Sequence, residues 1–519
     1  MRKFVLGLVV IAALSSASSA LAAGKAEHIV VVVWDGMRPD FITMQHTPTL
    51  FQLAREGVMF QDHHSVYCTA TEVNGTAMAT GAYPANSGVI ANNTYQPNIK
   101  LLGPVDSAAP EVIRKGDELS GGHYLLRPTL AEILQSNGFK TAIAGSKTVA
   151  LLHDRHERGD DACCVNVFAG ASEPPTAIVA VSNLLGAFPK SPDSKSTIPN
   201  AARDEWTTRA LLDSLWSNGV PAFSLLWLSE PDHSQHAAGP GSPKALAALE
   251  SSDRQLATVL DDLTRRELRG ETDVFVVSDH GFSTVDKAVD VISVLQKAGL
   301  KAVRSFKSTP LRGDILVVGQ GGSLLFYVTE HDAEGTSRLV EFLQTQEFTG
   351  VIFTREEMPG TFTLDAAHIN SPNPPDVVLS MRWSAKKSAT GARGLFYSEG
   401  SRKPGEGNHA SLSRYDVHNT LVAAGPDVKG GFKDKLPTAN TDLAPTILWL
   451  LGVQPPSPMD GRILSEALTV EAPAISRQTT RTLEASRPIG DQIWRQYLKT
   501  SQVNETVYLD EGNGSVSKR

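Results

Sequence analysis

Asp35, Thr71, Asp232, His236, Asp279, His280 and His409 have the types and spacing for metal-assisted chemistry. A threonine hydroxyl is a weak nucleophile and needs a base or a metal to ionise it. Carboxylates and imidazoles are ligands that zinc takes. A pair of zinc ions about 3.5–4 Å apart clamps both oxygens of an in-line displacement at phosphorus. Such ions also lower the pKa of a bound hydroxyl, which would activate Thr71. Asp232 and His236 sit four apart, so one helical turn aims both at one ion. Asp279 and His280 are adjacent and can turn together into a site at a strand exit. Thr71 heads a run of small residues at helical spacing: Gly75, Thr76, Ala77, Ala79, Thr80 and Gly81. Its hydroxyl therefore stands near the positive end of a helix dipole, a place for an anionic group. Singly, an aspartate after a strand is a cap and a histidine in a loop faces solvent. Their joint occurrence points to a site.

The elements that must position these residues are legible as buried strands. Residues 28–34 (HIVVVVW), 222–228 (AFSLLWL) and 273–277 (DVFVV) are near-continuous apolar runs, as in strands covered on both faces of a parallel sheet. They run into Asp35-Gly36, the 229–236 segment and Ser278-Asp279-His280. Ligands of open α/β sheets sit beyond the carboxyl ends of the strands. Helical patterns at 47–57, 128–138, 202–217, 242–268 and 441–451 alternate with the strands. The predicted fold is therefore α/β, a mainly parallel central sheet with helices on both faces. Short strands and a helix within 302–383 predict a smaller α+β cap inserted into it. The expected division is a core over 27–300, the cap over 301–400, a core return over 401–470 and a tail over 471–519. Residues 102–122 read as an irregular insertion and 154–200 as loops over the site. The tail reads as polar, with one edge strand at 506–510 and a loose terminus.

A net charge of -8, with 41% hydrophobic and 20% charged residues, gives no reason to expect a nucleic-acid scaffold as partner. Residues 1–22 have the basic start, short apolar run and small-residue end of a secretory signal peptide. The run is short for an anchor, so no membrane anchor is expected after cleavage. The chain is expected to be exported, to the periplasm if its source is a Gram-negative bacterium. Cys68, Cys163 and Cys164 are too few for a disulfide scaffold. The vicinal pair fits either a strained disulfide or two free thiols.

Together the motifs are similar to those of the alkaline phosphatase superfamily, and within it the type I phosphodiesterase/nucleotide pyrophosphatase family. The matching pieces are VVWDG at Asp35, Thr71-x-x-Asn74, TGAYPANSGVIANN, EPDHSQH, SDHG and GNH, in the family's order. The Asp460-Gly461-Arg462 turn also matches. The resemblance implies an alkaline-phosphatase-like core with two Zn2+ per chain. One zinc would be held by Asp232, His236 and His409. The other would be held by Asp35, Asp279 and His280, with Thr71 Oγ. Thr71 would be the nucleophile, forming a phospho-threonine, and Asn92 would donate its amide to a phosphoryl oxygen. The family often has Phe-Pro after the threonine, where this chain has Glu72-Val73. Glu72 places an extra negative charge beside the site, which disfavours very anionic substrates.

The expected substrate is a small phosphoryl compound, with a nucleotide-like phosphodiester the first reading. Lys147, just past the strand at 141–144, and Asn74 are the substrate-binding candidates. Threonine-nucleophile monoesterases of the superfamily carry Lys-x-Arg near this place and phosphonoacetate hydrolases Lys-x-Lys, where this chain has Lys147 and Val149. A monoester carries one more charge than a diester, so the missing cation favours diesters. His153, Arg155, His156 and Arg158 lie downstream and could replace it. The alternatives are a phosphomonoesterase or phosphonate hydrolase of the same superfamily, or a non-catalytic binding protein on the same fold. A sulfatase is disfavoured because the Cys/Ser-x-Pro-x-Arg stretch is absent.

Overall fold

The computed structural model describes residues 24–155, 164–190, 198 and 200–518. The leader read into 1–22, together with His156, Arg158 and Cys163, lies outside them. The central sheet has nine strands: β1 (His28–Trp34), β2 (Val58–Phe60), β3 (Thr141–Gly145), β4 (Val165–Phe168), β5 (Ala171–Glu173), β6 (Phe223–Leu228), β7 (Thr272–Val277), β8 (Leu421–Ala424) and β9 (Phe432–Asp434). Their spatial order is β9-β2-β8-β7-β1-β6-β3-β4-β5. The run β7-β1-β6-β3-β4 is parallel throughout. Strands β8 and β5 run antiparallel to their neighbours.

The apolar runs do what continuous hydrophobicity requires. Ile29, Val31 and Val33 pack on one face with Leu225, Trp227, Phe275 and Val277. Val30, Val32 and Trp34 pack on the other with Leu226, Leu228, Val274 and Val276. Helices Leu130–Ser136 and Leu443–Leu450 cover the first face, and Pro48–Glu56 and Pro243–Arg265 the second. Each fully buried valine of β1 contributes about 1.5–3 kcal/mol by leaving water. The chain belongs to the predicted fold class, an α/β core with a mostly parallel sheet between helix layers.

Strands Ile315–Gly319, Ser323–Val328, Thr349–Thr354 and Val377–Met381, with two short partners, form a separate six-stranded sheet covered by helix Ala333–Leu343. A four-stranded sheet pairs Ser283–Val289 with Gly407–Asn408, which brings the chain after Asn408 back beside the end of β7.

Three expectations are corrected. Residues 102–122 contain a helix, Pro110–Ser120, with proline in its first turn and Gly121 in the left-handed region at its end. Residues 154–200 contain β4, β5 and helix Ala177–Leu185, so much of this stretch extends the central sheet and covers its edge. The tail is a three-stranded antiparallel sheet, Gln478–Ile489, Gln492–Val503 and Thr506–Lys518, anchored by buried Trp494, Leu498 and Tyr508.

Candidate metal centre

Four neighbouring parallel strands release the chain at one edge of the sheet. In the order β7, β1, β6, β3 they deliver Asp279-His280, Asp35, the turn before Asp232, and Ser146-Lys147. Helix α1 (Thr71–Thr80) points its first turn at the same edge. Its small residues are explained by packing. A Cβ on Gly75 would stand 2.5 Å from Val149 Cγ2 and 3.3 Å from the Trp227 ring. The Trp227 indole N–H in turn donates to Asp35 Oδ2 at 2.9 Å. Gly36, at φ +73°, turns the chain so that its N–H donates to Asp279 Oδ1 at 2.9 Å. No L side chain adopts that backbone readily.

Two triplets result. Asp35, Asp279 and His280 form one, and Asp232, His236 and His409 the other. Within each triplet the ligand atoms lie within 4.8 Å of one another. His280 Nε2 is 3.7 Å from Asp35 Oδ1 and 3.3 Å from Asp279 Oδ2. Asp232 Oδ1 is 3.3 Å from His236 Nε2 and 3.7 Å from His409 Nε2. All three rings place Nδ1 against a backbone carbonyl: His280 on Gly281 at 2.9 Å, His236 on Gly407 at 3.1 Å, His409 on Thr69 at 2.9 Å. Nδ1 therefore carries the proton, and the Nε2 lone pair faces the carboxylates, the tautomer a metal ligand needs. Asp35 Oδ1, Asp232 Oδ1 and Asp279 Oδ2 are buried and accept no hydrogen bond. Buried carboxylate oxygens left without donors fit cation ligands. The donor set is nitrogen and oxygen only, which suits zinc and other divalent metals.

Thr71 is buried, with Oγ1 3.4 Å from His280 Nε2. The residue before it, Ala70, has no side chain that could cap the helix. Asn92 Oδ1 accepts from the Glu72 backbone N–H at 3.0 Å, which fixes the amide over the start of α1. Lys147 Nζ joins the two triplets, 2.8 Å from Asp35 Oδ2 and 2.9 Å from Asp232 Oδ2. Burial, then the Asp279 carboxylate, raises the Asp35 pKa well above the usual range, against the opposing pull of Lys147. Burial raises Asp279 to about 6. Burial also acts to raise Asp232, but Lys147 and His236 outweigh it and hold that carboxyl well below its ordinary value. Burial, then neighbouring imidazoles, keeps His409 neutral far below pH 6.5.

Other candidates stand elsewhere. Asn74 does not face a substrate. Its Nδ2 donates to the Val66 and Ala70 carbonyls, both at 3.1 Å, and its Oδ1 accepts from Val66 N–H and Asn440 Nδ2. Burial and then Asp106 raise the Glu72 carboxyl to about 8, which works against the extra negative charge expected beside the site. Arg155 pairs with Glu132 at 2.6 Å and Asp117 at 3.3 Å instead of supplying a cation to the site. His153 is buried edge-on against Trp227, and burial lowers its pKa to about 3, so it is neutral. Sequence reasoning missed Trp227, hidden as one more apolar strand residue. It also missed Asp204, whose carboxylate accepts from Ser146 Oγ, Ser229 N–H and Glu230 N–H and so holds the turn before Asp232.

A parallel sheet that gathers two carboxylate–imidazole triplets and a helix-borne threonine at one edge is an alkaline-phosphatase-like architecture. Residues 29–398 match the family described as Type I phosphodiesterase / nucleotide pyrophosphatase, and the chain belongs to that family. It is similar to venom phosphodiesterase 2 of Crotalus adamanteus, at 24% identity over 52% of this chain and 29% of that one. It is similar to human ectonucleotide pyrophosphatase/phosphodiesterase family member 7, at 24% identity over 58% and 57%, and to mouse bis(5'-adenosyl)-triphosphatase enpp4, at 21% over 83% and 79%. The matched stretch thus spans less than a third of the venom protein's own length. Among solved structures, murine ectonucleotide pyrophosphatase/phosphodiesterase 5 shares the fold with a TM-score of 0.59 at 16% identity, over 85% of this chain and all of that one.

Proposed function

We propose that the chain is an exported phosphodiesterase that cleaves small, nucleotide-like diesters through a phospho-threonine at Thr71. The observation that carries this reading is the placement of Thr71 Oγ1 at the start of α1, 3.4 Å from a ligand nitrogen of one triplet. Two zinc ions held by the triplets would supply Lewis acidity toward the phosphoryl oxygens and lower the pKa of the threonine hydroxyl. Thr71 Oγ then attacks phosphorus in line, the alcohol on the opposite side departs, and water later hydrolyses the phospho-threonine. The Asn92 side-chain amide, oriented by the Glu72 N–H, donates to a phosphoryl oxygen. The first turn of α1 adds its dipole to the same charge.

Diesters are favoured over monoesters because the site has few uncommitted cations. Val149 is buried in the core, Arg155 is paired away and His153 is neutral. Lys147 is already shared between two carboxylates. No helix among the described residues is long and apolar enough to cross a membrane. The test is steady-state hydrolysis of bis-p-nitrophenyl phosphate against p-nitrophenyl phosphate by zinc-loaded protein. A higher kcat/KM for the diester is expected. A preference for the monoester would move the reading to a phosphatase.

A further inference from the structure

A third carboxylate–imidazole group lies outside the site just described, and no part of the proposed reaction uses it. Asp62 follows β2, His64 ends a two-residue strand, His418 follows helix Arg414–Val417, and Asp510 sits on the last strand of the C-terminal sheet. His64 Nε2 is 3.6 Å from Asp62 Oδ1 and 3.4 Å from Asp510 Oδ1. His418 Nδ1 is 3.5 Å from Asp62 Oδ1. The ligand atoms of Asp62, His64 and His418 all lie within 4.8 Å of one another, as in the two triplets at the sheet edge.

Three features repeat the signature of those triplets. The His64 ring is 1% exposed, and its Nδ1 donates to the Thr438 carbonyl at 2.9 Å, so Nε2 is the ring atom that faces the group. That Nε2 and Asp510 Oδ1 are buried and have no hydrogen-bond partner. The donor–donor distances of 3.4–3.6 Å are too long for hydrogen bonds of normal strength. They match the edge of a tetrahedron whose centre lies about 2.0–2.2 Å from N and O ligands, which is about 3.3–3.6 Å. The triplets at the sheet edge show 3.3–3.7 Å.

We propose that Asp62, His64, His418 and Asp510 form a third, structural site for a divalent cation of the zinc class. Asp62, His64 and His418 offer three ligand atoms, and Asp510 Oδ1, 3.4 Å from His64 Nε2, stands next to them. The site joins the C-terminal sheet to the segment that enters α1. His63, next to His64, bonds Asn440 Oδ1 through Nε2 at 3.0 Å, and Asn440 Nδ2 donates to Asn74 of α1 and to the Asp279 carbonyl. The cation therefore clips the last strand to the frame that holds Thr71 and Asp279.

The test is zinc content by elemental mass spectrometry after loading and exhaustive dialysis, on the full chain, His418→Ala and Asp510→Asn. Asp510→Asn keeps the side-chain shape and guards against misfolding. Each variant is expected to hold one equivalent fewer than the wild type, to keep diester hydrolysis within about twofold, and to melt at lower temperature. Cobalt in place of zinc should show one tetrahedral spectrum fewer. The readout is a difference of one equivalent, so it does not depend on how many ions the sheet-edge site holds. Equal metal content in wild type and both variants would overturn the proposal, leaving His64 as an imidazolium between two carboxylates. Loss of the equivalent together with hydrolysis would also overturn it, because the lost ion would then belong to the sheet-edge site.

Discussion

The imidazoles of His280 and His409 are stacked ring on ring, with centroids 3.7 Å apart and planes 13° apart, yet each serves a different triplet. The pairing of Ser283–Val289 with Gly407–Asn408 creates this contact, since the two histidines flank that ladder. Each metal site is thereby built partly on the other's ligand. His409→Ala is expected to lose one metal equivalent from the Asp232 triplet while His280 keeps its own, as read by metal content after dialysis. Unchanged stoichiometry would show that His409 is not a ligand.

Lys147 lends its charge to both Asp35 and Asp232. In metal-stripped protein, Lys147→Met leaves two buried carboxylates uncompensated. Removing one partner of a fully buried pair costs about 3–5 kcal/mol, and the partial exposure of Lys147 reduces this to about 1–3 kcal/mol. The variant should melt below the wild type when both are stripped, and the gap should close when both are loaded with zinc. Equal melting of the stripped proteins would mean that the ammonium does not compensate these carboxylates.

Gly75 lets α1 lie against Val149 and Trp227. Gly75→Ala gains about 1 kcal/mol of helix propensity but overpacks a buried contact by about 1–3 kcal/mol. Net destabilisation is expected in urea unfolding, with a fall in kcat because Trp227 holds Asp35. Adding Val149→Ala makes room and should restore part of both. A stabilised single variant would contradict the packing.

Asp273, at the start of β7, is buried beside Asp427, and burial raises its carboxyl to about 7. The folded state then binds a proton more tightly than the unfolded chain does. The stability this group contributes is complete below about pH 4 and is lost as pH rises through about 7, on the order of 4 kcal/mol. Asp273→Asn should flatten that part of the stability profile and exceed the wild type at pH 8. Parallel profiles would show that Asp273 ionises normally.

Strands β1, β6 and β7 were legible because both of their faces are buried, which writes them as unbroken apolar runs. Asp35, Asp232, Asp279 and His280 were legible because the ends of parallel strands share an edge. Helix Pro110–Ser120 was not, because a charged surface helix between glycines and prolines resembles a loop, although Pro110 and Gly121 marked its ends. The C-terminal sheet was hidden for a different reason. Its first strand is mostly exposed and carries no apolar alternation, so it is held by the ladder with its neighbour. The Asn74 reading failed because motif spacing cannot tell a side chain that faces substrate from one that braces the backbone. Asp62 and His64 stand two apart, but His418 and Asp510 come from distant parts of the chain, and no local spacing joins them to that pair.

The most direct measurement is acid-quenched peptide mapping by mass spectrometry during diester turnover, on wild type and Thr71→Ala with metal content matched. The expected result is a phosphorylated Thr71 peptide in the wild type, and in the variant no such peptide and turnover lower by about four orders of magnitude. Turnover by Thr71→Ala at a rate near the wild type would contradict a threonine nucleophile and assign the attack to water.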